Sequence, residues 1–174
     1  MPNLYLFCGV SGAGKSYLGK KFWKNNSTFV LIDIDEYYAQ VNGDECIREN
    51  AFEVWQMVYR DIHHCELTNQ DVIVITNAIT VHDRAEFLNW FPKFTHHIIW
   101  FSASLNKCID QNELRRRQID EKDLYYQYHF MEIPDSREDE WTTITHLVFN
   151  DTDNSVIIAK IRDDVTKWCN FDLN

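Results

Sequence analysis

A chain of 174 residues with 45% hydrophobic content is long enough for one well-buried core and short for two ordinary domains, so a single domain spanning 1–174 is expected. Its formal net charge of −10 excludes a surface that is basic overall, which confines any nucleic-acid contact to a local patch or a chain end and keeps small-molecule substrates in play. The five cysteines are odd in number and lack C-x-x-C spacing, and no segment approaches the roughly 18 apolar residues of a membrane helix, so a soluble protein of the reducing cytoplasm is expected, with no disulfide framework, no zinc site and no membrane partner.

In chain order, the apolar run Leu4-Tyr5-Leu6-Phe7-Cys8 reads as a buried strand and leads directly into Gly9-Val10-Ser11-Gly12-Ala13-Gly14-Lys15-Ser16, which matches G-x-x-x-x-G-K-[ST]. Strand, glycine loop, helix is the order that phosphate binding needs. Glycines let backbone N–H groups turn inward around phosphates, and the following helix points its positive end at them. Gly9, Ser11, Gly12, Ala13, Gly14, Lys15, Ser16 and Tyr17 are therefore the candidate nucleotide-binding residues, with Lys15 reaching the β- and γ-phosphates of ATP and the Ser16 hydroxyl binding Mg²⁺.

Residues 16–25 carry Leu18, Phe22 and Trp23 at helical spacing with Lys20, Lys21 and Lys24 outward. Phe29-Val30-Leu31-Ile32 reads as a second buried strand ending in Asp33-Ile34-Asp35-Glu36. Ligands of open parallel sheets bind at the carboxyl ends of the strands, so these acids fall at the crevice. Asp33 and Asp35, two residues apart, share one face of a strand, which lets Asp33 join Ser16 as a magnesium ligand. The alternative is that these acids cap the next helix, where negative charge suits the dipole.

Ile47, Ala51, Val54, Trp55, Val58 and Ile62 predict the longest amphipathic helix over roughly 45–66. Residues 71–77 form a third strand, and Thr80 with Asp83 a capping box for a short helix through Phe87, Leu88 and Trp90. Residues 96–101 form a fourth strand, and Ser104 caps a helix that runs into Arg115-Arg116-Arg117. Beside a triphosphate site this basic cluster suits a lid, over about 111–122, that brings a guanidinium to the transferring phosphate; a solvated surface is the alternative. Arg116 is the first candidate and Arg115 the second. A further helix is predicted over 119–131, a fifth strand ends at Phe149, and Ile157, Ile161, Val165 and Trp168 read as the core face of a closing helix. Five alternations of strand and helix predict a three-layer α/β fold with a mostly parallel five-stranded sheet.

The glycine loop, Ile34-Asp35-Glu36-Tyr37, Thr76-Asn77 with Arg84, Phe101-Ser102-Ala103-Ser104-Leu105 with Asn112 and Arg116, and Tyr128-His129-Phe130-Met131-Glu132-Ile133-Pro134 with Glu138 and Trp141 together resemble the polynucleotide 5′-hydroxyl kinase family of P-loop kinases, over residues 3 to about 149. The resemblance implies that Asp35 is the general base, that Asn77 and Arg84 meet the substrate, and that Arg116 acts from the lid. Two positions depart from the family pattern. Ile75 stands where an acid ends the third strand, leaving magnesium to Ser16 and to Asp33 or Asp35, and Tyr38 stands at the place of a substrate-side arginine. The implied activity is transfer of the ATP γ-phosphoryl group to a nucleic-acid 5′-hydroxyl. A kinase for a nucleoside, sugar or similar metabolite and a nucleotide-binding protein without catalysis remain the alternatives.

Overall fold

The computed structural model describes residues 1–25, 28–115, 118–138, 140–149 and 156–160. Five strands run parallel: β1 (Asn3–Cys8), β2 (Val30–Asp33), β3 (Val72–Ile75), β4 (Thr95–Ser102) and β5 (Thr143–Phe149). A sixth, β6 (Val156–Lys160), pairs antiparallel with β5, giving the order β2-β3-β1-β4-β5-β6. The helices are α1 (Lys15–Asn25), α2 (Ile34–Asn42), α3 (Ala51–Leu67), α4 (Val81–Asn89), α5 (Leu105–Glu113) and α6 (Glu121–Phe130).

Alternation along the central strands divides the core into two halves, as expected of a parallel sheet covered on both faces. Leu4, Leu6, Val72, Val74, Ile98 and Trp100 pack with Val54, Val58 and Ile62 of α3 and with Phe87 and Leu88 of α4. Tyr5, Phe7, Ile73, Ile75, Ile99 and Phe101 pack with Phe22 of α1, Cys108 of α5 and Leu124 of α6. Because β1 is central, its carboxyl end delivers the glycine loop to the middle of the sheet's upper edge, between β3 and β4.

Three expectations are corrected. Val156–Lys160, where a closing helix was predicted, is a strand: Val156, Ile157 and Ile158 are successive β-branched residues, and they add to the free edge of β5. Ile161, Val165 and Trp168 lie outside the described residues. The long helix begins at Ala51 rather than near 45, so Ile47 falls outside it and is exposed. Asp35 does not share a strand face with Asp33: β2 ends at Asp33, and Ile34–Asn42 form α2, closed by Gly43 in the left-handed region at φ 75°.

Candidate active site

The glycine loop turns tightly beneath β4 and α5. Gly12 has φ 84°, and a Cβ there would stand 2.5 Å from the Cys108 carbonyl oxygen, so both the backbone angle and the space require glycine. Lys15 is folded back into the loop, 7% exposed, with Nζ donating to the carbonyl oxygens of Gly9 (2.7 Å) and Val10 (2.9 Å) and to Asn77 Oδ1 (3.1 Å). The Asn77 carbonyl accepts from Gly9 N at 2.9 Å, which ties the loop after β3 to the loop after β1. A cleft of about 470 Å³ opens here, lined by loop residues including Ser11, Gly12, Gly14 and Ser16, by Tyr17, by Asp33 and Asp35, and by Arg115.

Burial lowers the Lys15 pKa to about 8, with Asp35 opposing the shift and Arg115 adding to it. Above that pH the free protein holds a largely neutral amine, whereas phosphate oxygens favour the ammonium, so binding then takes up a proton. Affinity for a non-hydrolysable ATP analogue is therefore expected to fall as pH rises from about 8, approaching tenfold per unit. Calorimetric titrations in buffers of different ionisation enthalpy would read the proton uptake; an affinity that stays flat through this range contradicts the assignment.

Asp33 is the N-cap of α2, accepting from Asp35 N at 3.3 Å, so the capping alternative is true of this residue. It is also buried, and burial raises its pKa, while a hydrogen bond from Ser16 opposes that shift. A desolvated carboxylate beside a serine hydroxyl is a hard-oxygen pair of the type Mg²⁺ takes together with substrate phosphates and water. Among the described residues no group of three or more His, Cys, Asp or Glu is arranged to hold a metal alone. Glu36 is engaged by Lys20 at 2.7 Å, whereas Asp35, like Asp33, lines the cleft.

The partner of Asp35 was not foreseen. Arg48, from the connection between α2 and α3, places Nη2 2.7 Å from Asp35 Oδ1, and its guanidinium lies 4.3 Å from the centroid of the buried Tyr38 ring. The Tyr38 ring is thus a platform for an arginine delivered from the α2–α3 connection. The available signal was composition: Arg48 is one of only two arginines between Glu36 and Asp71.

After α5, the buried Asn112 carboxamide clamps the following turn, accepting from Ile119 N (3.1 Å) and donating to the Ile119 carbonyl (3.0 Å). This turn carries Arg115 at the cleft; Arg116, the first lid candidate, and Arg117 lie outside the described residues. From α6, Gln127 Oε1 accepts from Ser11 N at 2.9 Å, fastening that helix to the glycine loop.

Arg84 corrects the expectation of a substrate contact. It is fully buried; Nε and Nη2 donate to the equally buried Glu138 at 2.9 and 2.6 Å, and Nη1 donates to the carbonyls of Ala78 and Ile79, both at 3.2 Å. Ala78 sits at φ 36°, a left-handed conformation unfavourable for an L-residue, immediately after Asn77. Arg84 therefore holds a strained turn whose neighbouring side chain meets Lys15. Arg84→Leu leaves Glu138 buried without its partner and is expected to lower stability by roughly 3–5 kcal/mol, measured by denaturant titration; a loss below about 1 kcal/mol would contradict this structural role.

A glycine loop after a central parallel strand, in a sheet whose five parallel strands run in the order β2-β3-β1-β4-β5 with helices on both faces, defines a P-loop kinase-like α/β protein. A family model described as an AAA domain matches residues 4–134, and the chain belongs to that family. No curated protein matches. Among solved structures, the chain is similar to one in the Pnkp1/Rnl/Hen1 RNA repair complex, at 12% identity and TM-score 0.66, with 94% of this chain aligned to 50% of that one. It is also similar to a sugar kinase from Janibacter sp. HTCC2649 (12%, TM-score 0.63, 85% of this chain and 86% of that one) and a gluconokinase from Sinorhizobium meliloti 1021 (16%, TM-score 0.57, 83% and 82%). The chain thus spans half of the RNA-repair chain and most of each small-molecule kinase. At such identities the likeness is one of fold. Among the described residues no helix is long and apolar enough to cross a membrane.

Proposed function

We propose that this protein is an ATP-dependent phosphotransferase whose acceptor is a hydroxyl, with the 5′-hydroxyl of a nucleic-acid end as the leading acceptor. The observation that carries the reading is the convergence of the Lys15 ammonium and the Asp35 carboxylate on one cleft, close enough that Asp35 helps keep Lys15 charged. Lys15 and the loop amides hold the β- and γ-phosphates, and Arg115, with Arg116 beside it in sequence, supplies lid charge to the transferring group. Ser16 and Asp33 would hold Mg²⁺, which neutralises developing phosphate charge when bound. Asp35 accepts the acceptor's proton as the new O–P bond forms and the bond from the γ-phosphorus to the β–γ bridging oxygen breaks, with ADP as the leaving group, and to do so Asp35 must part from Arg48. The freed guanidinium is then available to an anionic group of the acceptor, the task that the residue at position 38 does not perform here.

A metabolite acceptor is the second reading. It is favoured by the net charge of −10 and by alignments with the sugar kinase and the gluconokinase that cover more than four fifths of both chains. γ-Labelled ATP offered with 5′-hydroxyl DNA, 5′-hydroxyl RNA, nucleosides, gluconate and hexoses separates the two. The leading reading expects label on the oligonucleotides; label on a hexose or gluconate alone replaces it with the second.

A further inference from the structure

A side pocket of about 220 Å³ opens beside the reaction cleft, and Trp55 and Thr76 line both. Its walls are aromatic: the Trp55 and Trp90 rings stand 5.8 Å apart at 88°, and the Trp55 and Phe87 rings 6.2 Å apart at 57°. Its polar lining is Thr76 with two carboxylates of α4, Asp83 and Glu86, and among the described residues no lysine or arginine lines it. Trp90 is 41% exposed, so the aromatic wall is open to a ligand. We propose that this pocket takes the terminal nucleobase of the acceptor, an inference that rests on the phosphotransferase reading and names its substrate class.

The chemistry selects the occupant. A flat ring gains from stacking on tryptophan, and two acids repel phosphates and carboxylates. The same acids accept hydrogen bonds from ring and exocyclic N–H groups, as on cytosine, adenine and guanine. Position agrees: Thr76 adjoins Asn77, whose Oδ1 lies 3.1 Å from Lys15 Nζ, so the pocket mouth gives onto the phosphoryl-transfer centre. A base held there would turn its ribose towards the cleft through the Trp55 and Thr76 side that the two share. In an acidic chain, recognition of one terminal nucleoside replaces the basic track that a long backbone would need.

The base can belong to a free nucleoside or to a nucleic-acid end, and the test separates these sources. KM is measured for 5′-hydroxyl oligonucleotides with a base or an abasic residue at the terminal position, and for adenosine and cytidine. Tryptophan quenching by the same ligands is read without ATP. An abasic terminus is expected to raise KM by about tenfold or more, and Trp90→Ala to bring the abasic-to-base ratio towards one. Glu86→Gln, on an exposed side chain, is expected to weaken quenching by cytidine more than by a base without an amino group. Quenching by nucleosides that vanishes in Trp90→Ala supports the pocket even if no acceptor is phosphorylated, an outcome that would instead overturn the phosphotransferase reading. Equal KM for base-bearing and abasic ends, or quenching by hexoses and not by nucleosides, overturns the inference.

Discussion

Lys15→Ala is expected to reduce phosphoryl transfer by about a thousandfold or more while the protein still folds. Phosphoryl transfer requires little covalent chemistry from the protein, so positioning and charge neutralisation supply nearly all of the rate. Lys15 is the cation at the centre of the loop, and its three hydrogen bonds run to loop carbonyls and to Asn77. Stability should change little, because the variant loses those bonds but also relieves the burial that lowers the Lys15 pKa to about 8. A wild-type rate with an unchanged melting curve would sink the assignment of the loop; a collapsed melting curve would assign Lys15 a structural task instead.

Asp35→Asn should lower transfer by about a hundredfold or more with ATP still bound. Asparagine keeps the shape of the side chain and removes the basic oxygen. The Arg48 contact survives in weaker form, since an amide oxygen still accepts from Nη2, and the Asp33 cap is untouched because Asp35 enters it only through its backbone N–H. The expected signature, read well below pH 8 so that Lys15 stays protonated without the Asp35 charge, is a loss in kcat with little change in ATP affinity by calorimetry. Glu36, occupied by Lys20, is the control: its replacement by Gln should have a far smaller effect. Equal losses at the two positions would mean that the acids act through local charge rather than proton transfer.

Local signals carried far in this chain. The glycine loop, the Thr80–Asp83 capping box and the Ser104 cap each lie within a few residues, and the structure has them as the sequence implies. The apolar runs of the central strands were equally legible, because a parallel sheet covered on both faces needs them continuous. What could not be read was tertiary. Glu138 lies 54 positions from Arg84, and without that partner a buried arginine looks like any other arginine a turn into a helix. Arg48 sits in a connection that apolar periodicity had drawn into α3, so its approach to Asp35 and Tyr38 had no local trace. At β6, the spacing of Ile157 and Ile161 suited a helix, while the open edge of β5 rewarded a strand.

The central claim is that this cleft moves a phosphoryl group from ATP to a hydroxyl. Its most direct test is a single-turnover reaction of the wild-type protein with γ-labelled ATP, Mg²⁺ and a 5′-hydroxyl oligonucleotide, with the products separated into labelled acceptor, inorganic phosphate and unreacted ATP. The account predicts label as a phosphomonoester on the oligonucleotide, removed by a phosphatase and absent from the Asp35→Asn reaction on the same timescale. ATP that binds and stays intact with every hydroxyl acceptor offered, or that releases its label only as inorganic phosphate, would contradict it.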